Sequence, residues 1–295
     1  MMSTMSAVTL CECFARDGLQ HEPVFVPTAA KRALVERFAA IGFPRVEATS
    51  YSNPRVVLQF ADASDLLRSL SRSSGVFYKA TCANQKSVQR AIADADAGYG
   101  VNEISLLVSA TESHSQKNLK RSRAGQWANI GEMVRMAGGR FRIVGTVSVA
   151  FGCPFEGKVD PGLVCEDIFR FVELGVNHVA IGDTTGMANP IQAYTLVKLV
   201  LAKLKKASLA VHFHSFKGLE FANVMGALQA GVTTFDGAAG GLGGCPYAPE
   251  ATGNMATEIL FEMFERMGIS TGIDIEKIKT CGEFANKLSS KCSRE

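Results

Sequence analysis

The sequence predicts a single (β/α)8 barrel. Short apolar, β-branched runs alternate with longer segments of helical period, the pattern of an α/β protein. Eight such runs occur, each followed by a helical segment, and eight repeated βα units imply a closed barrel. The length of 295 residues holds one barrel, which takes roughly 250, without a second domain. Residues 1–295 are therefore read as one domain, with the barrel over about 8–268 and a polar, lysine-rich helical extension over 269–295. An open doubly wound sheet is the competing arrangement. No G-x-G-x-x-G follows the first strand, which weakens a dinucleotide-binding version of it.

Taken in order, the predicted strands start at Val8, Arg45, Val76, Glu103, Arg142, His178, Leu209 and Thr233. The helical segments between them are Thr28–Ile41, Ala61–Ser71, Asn84–Ala97, Gln116–Ala137, Pro161–Leu174, Pro190–Lys206, Gly218–Ala230 and Thr252–Met267. Four helices are predicted to end where a glycine supplies a left-handed cap: Ile41-Gly42, Leu174-Gly175, Ala230-Gly231 and Met267-Gly268. The phrases A-I-G-F, E-L-G-V and Q-A-G-V recur just before strands, which marks a repeated unit.

Composition narrows the function classes. A hydrophobic fraction of 47% and a charged fraction of 20% suit a folded core rather than disorder. The net charge of +3 is spread along the chain, without the basic stripe of a nucleic-acid binder. The short basic patch of Lys117, Lys120, Arg121 and Arg123 reads as a solvated surface rather than an anion site. Met1 to Val8 fits neither a signal peptide nor an Arg-rich transit peptide, and no run is long enough to span a membrane. A cytoplasmic protein is expected, although a processed organellar form stays open. The eight cysteines are scattered, as buried apolar residues of a reducing compartment are; Cys11 and Cys13 form a C-x-C pair with no second pair to complete a zinc site.

Chemistry in this fold sits at the C-terminal ends of the strands. The first strand, V-T-L-C-E-C, runs into F-A-R-D-G-L-Q and places Arg16, Asp17 and Gln20 there. The second, R-V-E-A-T-S, carries Glu47 and ends with Thr49 and Ser50; the sixth ends at Asp183; the seventh ends with His212 and His214. Residues i and i+2 of a strand share a face, so the two imidazoles of H-F-H can share one cation. They can equally be two hydrogen-bonded histidines. Asp17 and Asn254 are oxygen donors on loops able to converge on them. Imidazoles with carboxylate and amide oxygens suit Mg²⁺ or Mn²⁺ better than zinc, which has no thiolate clearly in place. Arg16 reads either as a surface ion pair or as a fixed cation for a developing oxyanion. Glu47 and Asp183, on apolar strands, need partners. The glycine-rich segment G-G-L-G-G-C-P-Y, Gly240–Tyr247, reads as a lid carrying Cys245 or as a plain connector.

These residues carry a resemblance. F-A-R-D-G-L-Q-H-E, V-E-A-T-S-Y, G-C-P-F-E-G-K, I-G-D-T-T-G, V-H-F-H and G-G-L-G-G-C-P-Y-A-P-E-A-T-G-N-M-A-T-E, in order from about Val8 to Lys277, resemble the 3-hydroxy-3-methylglutaryl-CoA lyase family. The glycine-loop motif is specific to these lyases; R-D-G-L-Q marks the wider superfamily that includes isopropylmalate synthase. The resemblance implies a metal held by Asp17, His212, His214 and Asn254, an enolate-stabilising Arg16 and a lid cysteine, Cys245. Glu47 and Asp183 match acidic positions important for activity. Arg16, Asp17, Glu47, Asp183, His212 and Cys245 are thus the candidate catalytic residues, and Arg16, Gln20, Ser50 and Asn118 the candidate substrate contacts. The implied reaction is metal-dependent retro-Claisen cleavage to acetyl-CoA and acetoacetate. It implies an acyl-CoA partner, leucine degradation or ketone-body metabolism, and a dimer or tetramer.

The sequence departs from the family pattern around the pocket. His214-Ser215-Phe216-Lys217-Gly218-Leu219 stands where the family reads H-D-T-Y-G-Q. Pro23 replaces a lysine, Thr146 a tyrosine and Ala180 a serine, and Asp236-Gly237-Ala238 replaces D-S-S. A different 3-hydroxy-3-alkylglutaryl-CoA or related hydroxyacyl-CoA is therefore an alternative substrate. A Claisen-condensing acyltransferase and a non-catalytic barrel are more distant readings.

Overall fold

A computed structural model of the chain describes residues 7–204, 206–244 and 253–289. The expected barrel is what these residues form. Its strands are β1 (Thr9–Glu12), β2 (Arg45–Ser50), β3 (Phe77–Cys82), β4 (Glu103–Ser109), β5 (Arg142–Ser148), β6 (His178–Asp183), β7 (Ser208–Ser215) and β8 (Thr234–Gly237). Each pairs in parallel with the next, and β8 pairs with β1, so the sheet closes. The helices are α1 (Thr28–Ala40), α2 (Ala63–Ser69), α3 (Gln85–Asp96), the single turn α4 (Glu112–His114), α5 (Arg123–Ala137), α6 (Pro161–Glu173), α7 (Pro190–Lys203), α8 (Leu219–Ala230), α9 (Thr257–Arg266) and α10 (Ile275–Leu288). No helix among the described residues is long and apolar enough to cross a membrane.

Local chemistry sets the boundaries. The Asn84, Ser122 and Asp160 side chains accept from the first-turn N–H groups of α3, α5 and α6. Asn189 and Gln192 form a reciprocal capping box on α7, with Pro190 in its first turn. Gly42, Gly175, Gly231 and Gly268 all take left-handed φ, as predicted. At Gly42 a side chain is also excluded by contact, because a Cβ would lie 2.6 Å from the Gly272 carbonyl oxygen.

Two helices differ from the prediction. The helix expected from Gln116 is interrupted: Ser115–Leu119 forms one π-helical turn, Lys120 is left-handed at φ 54°, and the Ser122 cap starts α5 at Arg123. The helix expected from Thr252 starts at Thr257, because Gly253–Asn254 forms a short strand, β9, antiparallel to the end of β7. The basic patch is also corrected at one residue. Arg123 is not solvated but bonds both oxygens of Asp167 on α6, at 2.9 and 3.0 Å, and the Ser109 carbonyl.

Alternation along the strands separates two chemistries. Outward residues such as Leu10, Tyr78, Ile104, Leu106, Ile181, Phe213 and Phe235 are buried in the main apolar core against the helices. Inward residues are largely polar, where barrels of this kind usually carry branched aliphatics. Near the N-terminal mouth, Glu103 lies between Arg45, at 2.8 Å, and Arg142. One level up, the buried Lys79 ammonium is 3.2 Å from Glu47 and 3.9 Å from Asp236. Val144, Ala180 and Ala210 form a small apolar cluster of their own. Removing one member of a buried charge cluster strands its partners. Lys79→Met is therefore expected to lower unfolding free energy by about 3–5 kcal/mol, read from urea denaturation with an unchanged slope. An unshifted midpoint would show that Glu47 and Asp236 do not depend on Lys79.

Candidate active site

The site begins where β1 runs out. From Phe14 to Gly18 the chain makes one wide turn in which the Cys13 carbonyl accepts from the N–H groups of Arg16 and Asp17 at 3.1 and 2.8 Å. This turn delivers Arg16 and Asp17 to the C-terminal mouth of the barrel; such wide turns cluster at functional sites. Glu12 fastens it: one carboxyl oxygen accepts from Phe14 N at 2.8 Å and from Ala239 N, in the turn after β8, at 3.0 Å.

Four strands meet that turn. β7 presents His212 and His214 side by side, ring centroids 5.0 Å apart. β9 sets Asn254 opposite His214 in register. β2 supplies Glu47 and β8 supplies Asp236. Asp17 is the junction: its Oδ2 lies 3.3 Å from His214 Nε2, 3.7 Å from His212 Nε2 and 2.7 Å from Asn254 Nδ2, while its Oδ1 takes Arg16 Nη1. Arg16 Nε is 3.0 Å from Glu47 Oε1, which also accepts from Thr81 Oγ1 at 2.6 Å. His212 Nδ1 faces Asp236 at 3.6 Å. Asp183 ends β6, with Oδ1 accepting from Met187 N and Ala188 N at 2.9 and 3.2 Å.

The electrostatics divide the carboxyl groups into two sets. Burial pushes Asp17 up, but the Arg16 guanidinium and the two histidines outweigh it and hold the group well below the usual range. Glu47 is likewise held down against burial by Arg16 and Lys79. Asp236 is held down against burial by Lys79 and His212. Asp183, with no cation paired to it among the described residues, is pushed by burial up to about 7. Burial also lowers His214, favouring a neutral imidazole.

The donor set fits a divalent cation. Ligand atoms of Asp17, His212 and His214 all lie within 4.8 Å of one another. Asn254 Oδ1 is buried beside them with no hydrogen-bond partner among the described residues, an unspent oxygen of the kind a hard cation takes. Asp236 behind His212 can fix which ring nitrogen faces Asp17.

Of the residues singled out from sequence, the structure brings together Arg16, Asp17, Glu47, His212, His214 and Asn254, with Asp183 on the adjoining strand end. Ser50 is bonded to Ser52 Oγ at 2.8 Å and to the Thr81 carbonyl at 3.2 Å. Gln20 turns to His21, and Asn118 stands exposed on the loop after β4. Among the described residues none of these three contacts the cluster. Cys245 lies outside the described residues. Lys217 is exposed with φ 52°, its ammonium over the Phe216 ring, and the loop beneath it is held by Glu220, which accepts from Ser215 Oγ at 2.8 Å and Phe216 N at 3.1 Å. Thr146 pairs with Ser105 inside the barrel at 2.9 Å. Sequence reasoning missed Lys79, Thr81 and Asp236. The signal was available: a lysine in mid-strand, with Thr81 at i+2 on the same face.

Comparison with known proteins finds relatives over nearly the whole chain. A family model described as HMGL-like matches residues 7–284. Hydroxymethylglutaryl-CoA lyase of Bacillus subtilis is 35% identical over 286 residues, 96% of this chain and 94% of that protein. The enzyme of the same name from Pseudomonas mevalonii is 37% identical over 279 residues, 94% of this chain and 91% of its own length. The structure of an HMG-CoA lyase from Acinetobacter baumannii, in complex with coenzyme A and 3-methylmalate, superimposes with a TM-score of 0.91 at 35% identity, covering 98% of this chain and 93% of that one.

Glu12 gives a pH-dependent prediction. Burial raises its pKa from 4.5 to about 8, so the folded state holds a proton that the unfolded state has lost between those values. Stability falls as pH rises through that window. Glu12→Gln, which stays neutral, should flatten the decline between about pH 5 and 8, read from denaturation midpoints. An undiminished decline would place its origin in other groups.

Proposed function

Because the chain belongs to the HMGL-like family, we propose that it cleaves 3-hydroxy-3-methylglutaryl-CoA to acetyl-CoA and acetoacetate with a divalent cation, Mg²⁺ or Mn²⁺. The observation that carries this reading is the convergence of Asp17, His212, His214 and Asn254 beside a salt-bridged Arg16. Those four residues would hold the cation, through the Asp17 carboxylate, both Nε2 atoms and the amide oxygen. When bound, it supplies Lewis acidity that lowers the pKa of the substrate's tertiary hydroxyl.

The protein's own groups account for the rest of the chemistry. Breaking the C2–C3 bond leaves negative charge on the thioester enolate oxygen. Arg16 is fixed through Nη1 on Asp17 and Nε against Glu47, which leaves Nη2 for that oxygen. A cation held in place before the reaction costs no reorganisation as charge develops. Proton transfer calls for a group with a pKa near the working pH. Asp183, pushed up to about 7 and with a buried Oδ2 that has no hydrogen-bond partner among the described residues, meets that condition. Cys245, on the glycine loop, is assigned to the same proton steps on the resemblance alone. The reading extends to an acyl-CoA substrate, to a place in leucine degradation, and to a cytoplasmic homo-oligomer.

The test is release of both acetyl-CoA and acetoacetate by purified protein with Mn²⁺ or Mg²⁺, abolished by EDTA. Arg16→Gln should lower kcat by about 10²–10³-fold, the effect of losing one oxyanion donor. His214→Ala should weaken Mn²⁺ binding by at least about tenfold in calorimetry without substrate. Tight Mn²⁺ binding with no cleavage would move the substrate to another hydroxyacyl-CoA. Unchanged binding in the alanine variant would overturn the ligand set.

A further inference from the structure

The N-terminal mouth of the barrel, at the opposite end from the chemistry, opens into a cavity of about 180 Å³. Its lining includes Arg45, Arg142 and His178 with Thr9, Ser208 and Thr234. We infer that this mouth is a binding site for one small oxyanion, a phosphate or a short carboxylate.

Charge is the first argument. Two guanidinium groups share one carboxylate, that of Glu103, so the lining keeps a net positive charge. Geometry is the second. Arg45 spends Nε and Nη2 on Glu103 Oε1, at 3.2 and 2.8 Å, and Arg142 spends Nε and Nη2 on Oε2. Each therefore keeps Nη1 with no hydrogen bond among the described residues. Paired guanidinium donors match the oxygens of phosphate and carboxylate, which take charge-assisted bonds from them. Access is the third. Ser208 is exposed, and Thr9, Arg142, His178 and Thr234 are half-buried, so the cavity communicates with solvent. His178 Nδ1 already pairs with Ser208 Oγ at 2.7 Å, which orients the ring and the hydroxyl at the entrance.

The site is separate from the lyase chemistry in both place and ligand. Glu47, two residues beyond Arg45 on β2, belongs to the opposite mouth, and the cluster there selects a cation. An anion at the lower mouth would take the Nη1 donors that Glu103 leaves free, at the end of the barrel away from the reacting groups, so its place is that of an effector rather than a reactant.

The experiment is titration of inorganic phosphate, and separately of succinate, into the full chain without divalent metal, by calorimetry at constant ionic strength set with chloride. Saturable binding of one anion per chain is expected, and the tighter of the two identifies the ligand's chemistry. Arg142→Met keeps the Arg45–Glu103 pair and should weaken binding roughly 10- to 100-fold, the loss of a charge-assisted hydrogen bond. Ser208→Trp should block entry while leaving both arginines in place, which guards against misfolding of the first variant. His214→Ala should leave the anion affinity unchanged. No saturable binding of either anion, or wild-type affinity in both Arg142→Met and Ser208→Trp, would overturn the inference. So would loss of binding in His214→Ala alone, which would put the anion at the other end of the barrel.

Discussion

A carboxylate inside a barrel stays ionised only if a cation stands within reach, and the inside of this barrel is built on that constraint. Three levels satisfy it. Glu103 shares Arg45 and Arg142 at one mouth, Lys79 serves Glu47 and Asp236 in the middle, and Arg16 serves Asp17 and Glu47 at the other. The groups are shared between levels, since Glu47 touches both Lys79 and Arg16. Such clusters contribute little net stability, because desolvation offsets most of the attraction. What they do is fix positions. A guanidinium braced by two carboxylates has few orientations left, and that rigidity is what stabilising a short-lived anion requires. The apolar face of each strand, packed on the helices, supplies the free energy that the polar face does not.

The same logic separates the acids by role. Asp17, Glu47 and Asp236 each have a basic partner and remain charged. Asp183 has backbone donors and distant help from His212, and its proton affinity rises accordingly. Carboxyl groups a few residues from a strand end thus acquire different proton affinities through their neighbours alone.

Much of this was legible in the sequence, and the reasons are local. Strand and helix alternation, capping asparagines and terminal glycines are read within a few residues, and they placed the barrel. The pair His212 and His214 was legible because i and i+2 on a strand must share a face. What the sequence could not show is what depends on distant partners. Arg123 looked like a surface cation until Asp167, on the next helix, was seen to take it. Asn254 was expected on a loop; its strand exists only because the end of β7 offers an unpaired edge. Lys79 was passed over because a lone lysine in an apolar run carries no meaning until Glu47 and Asp236 arrive beside it.

The centre is also assembled from opposite ends of the chain. Asp17 bonds His214 across 197 residues and Asn254 across 237. Loop closure on that scale comes late, after the shorter-range pairings between neighbouring strands. A growing polypeptide that has left the ribosome only as far as β6 carries one of the four residues proposed to hold the cation and none of their geometry. If these residues hold the proposed cation, its capture is tied to completed synthesis, because a barrel without its last strands lacks most of the donors.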